Sequence, residues 1–216
     1  MSSNYIRRTS SPMFNILDVL AVCCAAFRIN NNLMDTNDNA YATKNLIKAH
    51  FLDSKIVNVT QEDIDQAEKI KQYLPQRMTM TLLSGGQMSD FCTNVVTLVA
   101  ANTVHHLELG IIAWAPKLYA DYLQRDAVTE QVSIHGINSK ILGSVGDKIE
   151  LTFHLIESKH TSMYDSYYHT GHDGNGNLVS FYSKIVIPNG IKIKARIKKY
   201  FQNPTSTILH YIRVQK

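Results

Sequence analysis

The chain predicts an α+β fold: an all-helical N-terminal unit followed by a C-terminal five-stranded β-barrel. Apolar residues recur at helical spacing up to about residue 126, and beyond residue 140 the period changes to two. The charge reverses with the period. Residues 1–139 carry 11 Lys/Arg against 13 Asp/Glu, whereas residues 140–216 carry 11 against 5, so the formal net charge of +4 is concentrated on the strand-forming part.

The elements of the first unit follow from local chemistry. Residues 1–12 are polar, Ser-rich and basic and are expected to form an arm. Phe14, Leu17, Leu20, Cys24 and Phe27 then mark a helix that Asn30, Asn31 and Asn32 end. Arg7 and Arg8 before this apolar run resemble the start of a secretory signal, but Asn15 and Asp18 interrupt it. It falls short of the roughly 18 apolar residues of a membrane span and reads as a buried helix, so no membrane partner is expected. Tyr41–Leu52 supplies a second helix, with Leu46, Ile47, His50 and Phe51 on one side. Thr60 and Asp63 are spaced to cap a third, through Ile64, Ala67, Ile70 and Leu74, which Pro75 is expected to stop. Ser89 caps the next, which carries Phe91, Val95, Leu98 and Val99, and Gly110 is expected to break the chain. Pro116 suits the first turn of a last helix through Leu118, Tyr119, Tyr122 and Leu123. The helical domain is thus bounded at 13–126. Residues 126–140 read as a linker, with a short strand possible at Val132–Ile134.

Several chemistries find no residues to carry them. There is no Gly-rich phosphate loop, no Cys/His quartet and no H-E-x-x-H helix. Cys23, Cys24 and Cys92 have no ligand spacing, which suits a reducing cytosol, so a cytoplasmic location is expected. His105, His106 and Glu108 read as an ordinary helix end. No catalytic residue, metal or cofactor is expected, and the chain is read as a non-enzyme.

In the second unit, Ile149, Leu151, Phe153 and Leu155 alternate with Lys148, Glu150, Thr152 and His154, the pattern of a half-buried strand. Ser166–His172 forms a second strand. Asp173-Gly-Asn-Gly-Asn177 turns the chain with residues that tolerate positive φ, and Leu178–Ser183 returns. Ile191–Tyr200 and Thr207–Val214 complete five short strands within residues 140–216, which fits an OB-like barrel that binds oligonucleotides. Asp173, Asn175 and Asn177 begin like a calcium loop, but Leu178 and Lys184 stand where such a loop needs Gly and Glu.

The barrel residues point to a polyanion. Beyond Asp173 there are eight basic residues and no acidic one. Lys192, Lys194, Arg196 and Lys198 alternate with Ile191, Ile193, Ala195 and Ile197, and so form a cationic row at a spacing of about 6.6 Å. Single strands are held by such a row together with aromatic platforms for the bases. Lys199 and Arg213 extend the charge, and Tyr168, Tyr182 and Tyr200 are the candidate platforms, with Phe181 assigned to the core.

Gly143-Ser-Val-Gly146-Asp147, the segment Asp173 to Ser183, Ala195 to Tyr200 and Thr207 to Val214 together resemble an OB-like domain that recurs in bacteriophage replication-associated and single-stranded DNA-binding proteins. The resemblance covers about the last 75 residues. It implies single-stranded DNA as partner, with RNA possible, a host-cell cytoplasmic setting, and replication or transcription proteins as partners of the helical domain. Strand-coating members of that class end in an acidic tail, whereas this chain ends Arg213-Val-Gln-Lys216; an accessory of replication or transcription is therefore expected. Two alternatives use the same residues. One is a structural or protein-interaction module of a phage complex. The other is a metal-dependent nuclease drawing on His154, His160, His169 and His172.

Overall fold

The computed structural model describes residues 12–34, 37, 42–54 and 57–215. The arm expected over 1–12, apart from Pro12, the loop at 35–39, apart from Asn37, and the helix start at Tyr41 lie outside the described residues. Helices fill the N-terminal half and a closed five-stranded β-barrel follows, a mixed α+β fold. Two compact units divide at Leu123/Gln124.

The first unit is arranged about α1 (Ile16–Ile29), in which every residue from Val19 to Phe27 is buried. A helix that is apolar all round belongs at the centre of a bundle. Around it lie α2 (Thr43–Ala49), α3 (Gln61–Leu83), α4 (Asp90–Ala100) and α5 (Leu109–Ile112), while β1 (Met13–Asn15) pairs antiparallel with β2 (Thr103–His105). Asn15 caps α1 by accepting from the Leu17 N–H. Asp63 accepts from the Thr60 N–H at 2.9 Å, completing the box that opens α3, and also accepts from Arg28 at 2.8 Å. One carboxylate thereby ties the start of α3 to the end of α1.

Pro75 does not stop its helix: α3 runs through it to Leu83. An interior proline removes one helical hydrogen bond and costs about 3 kcal/mol. Burial of Ala67, Ile70 and Leu74 before it, and packing of Met78 on the core after it, favour continuation. Gly110 lies inside α5 instead of breaking the chain. His105 and Glu108 form a reciprocal cap at the corner between β2 and a 3-10 turn, with Glu108 accepting from the His105 N–H and His105 from the Leu107 N–H. No helix among the described residues is long and apolar enough to cross a membrane.

The largest departure concerns residues 126–140. Instead of a linker, α6 (Ala115–Gly136) extends to Gly136, and Val132–Ile134 is helical. Glu130, Gln131 and Ala127 favour helix, and in the second unit the last turn has something to pack on. There the His135 ring stacks 3.9 Å from that of His172. Past the helix, Ser139 accepts from the Leu178 N–H, and Lys140 donates its N–H to Asn177.

The barrel consists of β3 (Lys148–Thr161), β4 (Ser166–His172), β5 (Leu178–Ser183), β6 (Ile191–Gln202) and β7 (Thr205–Val214), closed in the order β3-β4-β5-β7-β6. All neighbours are antiparallel except β5 and β7, which run parallel. This architecture is compatible with an OB-like fold. Closure needs strands that bend, and bulges bend them. Register shifts leave Ile156 unpaired on β3 and Lys198 on β6, and set Tyr211 and Ile212 together against Ala195. The β4–β5 turn is organised by Asp173, whose carboxylate accepts from the N–H groups of Asn175 and Asn177, with Gly176 at φ +85°.

The barrel core comprises Phe153, Val179, Phe181, Ile193, Ala195, Ile197 and Leu209, with Ile187 from the β5–β6 loop. Gly171 makes room for it: a Cβ there would run into the His154 carbonyl oxygen and the Phe153 ring. His169 is fully buried beside Phe153 and Phe181. Its Nε2 lies 3.2 Å from the Ile185 carbonyl oxygen and its Nδ1 has no partner.

Burial holds the His169 pKa below the ordinary histidine range, against the raising influence of the Ile185 carbonyl. The unfolded chain therefore binds more protons just below pH 6.5, and stability present at neutral pH is lost as the pH falls. The slope contributed is at most about 1.4 kcal/mol per pH unit. His135, lowered by burial and by the neighbouring His172, acts in the same direction. Urea denaturation between about pH 7.5 and 5 should show this loss, and His169→Gln should flatten part of it; identical slopes in the two proteins would refute the assignment to His169.

Candidate functional site

The alternation read on β6 is present. Ile193, Ala195 and Ile197 are buried, and Lys192, Lys194, Arg196 and Lys198 are exposed. The bulge at Lys198 then interrupts the alternation, so Lys198, Lys199 and Tyr200 are exposed in succession. On β4 and β5 the register sets His169 opposite Phe181 and Tyr168 opposite Tyr182. Phe181 is fully buried, while Tyr182 is 52% exposed and packs against the half-buried Tyr168 at 4.8 Å between ring centroids. Tyr164 stands beside Tyr182 at 6.1 Å.

Two grooves cross the outside of the barrel. One, of about 290 Å³, is lined by Tyr168, Tyr182, Lys198, Lys199, Phe201 and His210, with Tyr211 at one side. The Lys199 ammonium lies 4.9 Å from the centre of the Phe201 ring, within cation–π range. The other, of about 870 Å³, is lined by Lys148, Glu150, Lys194, Arg196 and Arg213, again with Tyr211. The first is aromatic with a cationic edge, the second mainly cationic.

No protein-family model, curated protein or solved structure matches the chain.

In the cationic groove, pairing sets Lys148 directly opposite Arg196 and Lys194 directly opposite Arg213. Like charges in such positions destabilise a sheet. Among the described residues Glu150 is the one carboxylate lining the groove, and it pairs with its cross-strand neighbour Lys194 at 3.2 Å. The Gln215 side chain, followed by Lys194, holds the Glu150 carboxyl below the usual carboxylate range. Glu150 is thus charged at neutral pH and offsets part of the groove's positive charge.

Of the residues singled out from sequence, Tyr168, Tyr182, Lys198 and Lys199 meet in the aromatic groove, and Lys194, Arg196 and Arg213 meet in the cationic one. Lys192 and Tyr200 line neither. Lys148, Phe201, His210 and Tyr211 join the site without having been assigned to it. Lys148 was legible as the polar end of an alternating strand, but its place beside Arg196 depends on which strand pairs with which. Tyr211 belongs to the group of tyrosines concentrated in the barrel sequence, but nothing singled it out from them, because its position is created by a bulge.

The histidines named for a nuclease are engaged elsewhere. His169 is in the core, and the rings of His154 and His135 both stack with His172, so they present faces instead of converging nitrogen lone pairs. His160 lies 3.3 Å from Asp165 near the β3–β4 tip. Among the described residues no group of three or more His, Cys, Asp or Glu side chains is placed to hold a metal ion.

Proposed function

We propose that the barrel is a non-enzymatic binder of single-stranded nucleic acid, with DNA the preferred form and RNA a possible one. The observation that carries this reading is the junction of exposed aromatic rings with incompletely compensated cations in two grooves that share Tyr211. Bases stack on rings and phosphates neutralise cations, so one polymer satisfies both chemistries. A duplex suits the site less well, because its base faces are already covered by neighbouring bases. The compatibility of the barrel with an OB-like fold supports the same reading, and the resemblance adds a phage replication or transcription accessory as its setting. The helical unit would then serve protein partners.

The test is fluorescence-anisotropy titration of the full chain with single-stranded DNA, duplex DNA and RNA at two salt concentrations. Tyr168→Ala and Tyr182→Ala are each expected to cost ~1–3 kcal/mol of single-strand binding with a nearly unchanged salt slope, because each removes a base contact and no charge. Absence of binding to every single strand, or wild-type affinity in both variants, would count against the reading.

A further inference from the structure

Tyr211 occupies an unusual backbone position. Its φ of +54° lies in the left-handed region, where a residue with a Cβ is disfavoured and glycine is at ease. The conformation belongs to the bulge on β7 that places Tyr211 and Ile212 against the single residue Ala195. The extra residue lets Ile212 pack on the core while Arg213 stands opposite Lys194. A glycine would form this bulge with less strain, so the bulge alone does not account for a tyrosine. Little of the ring is used in folding: Tyr211 is 74% exposed, with its nearest aromatic neighbour, His210, at 4.3 Å between centroids. It is also the residue common to both grooves.

We propose that Tyr211 is a ligand-contact residue that joins the aromatic and cationic grooves into one continuous track for a single strand. This rests on the single-strand reading above. A base stacks on the Tyr211 ring, with bases on one side held by Tyr168, Tyr182 and Phe201. On the other side the backbone passes to Arg196 and Arg213. The length of the track sets the length of the ligand. From β4, which carries Tyr168, across β5 and β7 to β6, which carries Arg196, is three strand spacings, about 14 Å, and from Lys199 to Lys194 along β6 is about 16 Å, a diagonal of about 22 Å. An extended strand at about 6 Å per nucleotide fills it with about four nucleotides, at the lower end of single-strand site sizes.

The test uses the full chain and labelled oligothymidylates and oligouridylates of about two to ten nucleotides, with wild type, Tyr211→Gly and Tyr211→Phe. Wild-type affinity is expected to climb steeply up to about four nucleotides and only weakly beyond. Tyr211→Gly is expected to be at least as stable as wild type, since it keeps the bulge and removes the strain. It should bind the longer oligonucleotides about tenfold or more weakly and lose the steep rise with length, while Tyr211→Phe should retain both. Wild-type affinity and length dependence in Tyr211→Gly would overturn the proposal, and so would its failure to fold, which would make Tyr211 a packing residue. If wild-type protein bound no oligonucleotide at all, the single-strand reading itself would fall. Strong binding that kept rising steeply through the whole series would leave that reading intact and overturn the four-nucleotide track.

Discussion

Phe181→Ala is expected to lower the folding stability of the barrel by ~3–5 kcal/mol, because the lost burial and the cavity left behind add together. Phe181 is fully buried, its ring 4.8 Å from that of Phe153 and 5.2 Å from that of His169. These neighbours are held on β3 and β4, so relaxation into the space would require strands of a closed sheet to move. The adjacent residue gives the contrast. Tyr182 points outward, and its replacement by alanine should leave the urea midpoint nearly unchanged while weakening binding. Urea denaturation followed by sheet circular dichroism, with anisotropy on the same samples, separates the two effects. A stable Phe181→Ala that fails to bind, together with an unfolded Tyr182→Ala, would require the opposite strand parity.

Replacing Arg196, Lys198, Lys199 and Arg213 together with glutamine is expected to produce the largest change in binding. If each contacts a phosphate, the slope of log K against log salt should shrink by about 0.7 per cation, or about 2.8 for the four. At about 50 mM salt that corresponds to an affinity loss on the order of a thousandfold. Folding should be unharmed, since the substitutions relieve the like-charge pairs of Arg196 with Lys148 and Arg213 with Lys194. Lys192→Gln is the control: Lys192 lines neither groove and should leave affinity and slope unchanged. Lys194→Gln should have a smaller effect than Arg196→Gln, because Lys194 is already paired with Glu150. An unchanged slope in the fourfold variant would show these cations to be only a solvated surface.

Much of this architecture is written in local periodicity. The alternation in Lys148–Leu155 and Ile191–Lys198 identifies the strands and their buried faces, because neighbouring side chains on a strand point to opposite sides whatever the partner. Thr60 with Asp63, and Ser89, mark helix starts because a cap acts within a few residues of itself. Where one local preference was opposed by packing, the sequence reading failed: Pro75 is carried through α3 by the core on either side of it, and α6 extends to Gly136, where His135 meets His172.

The site divides along the same line. The sequence by itself determined that cations alternate with apolar residues on β6 and that tyrosines accompany them. It could not determine which of them share a groove. That depended on the closure order, which sets Lys148 beside Arg196 and β7 between β5 and β6, and on the bulges at Lys198 and Tyr211. A bulge reconciles two paired strands with the curvature of a closed barrel, so its position belongs to the pair and not to either strand's own sequence. For that reason Tyr211, one tyrosine among eleven in the sequence, becomes the residue shared by both grooves only in the folded barrel.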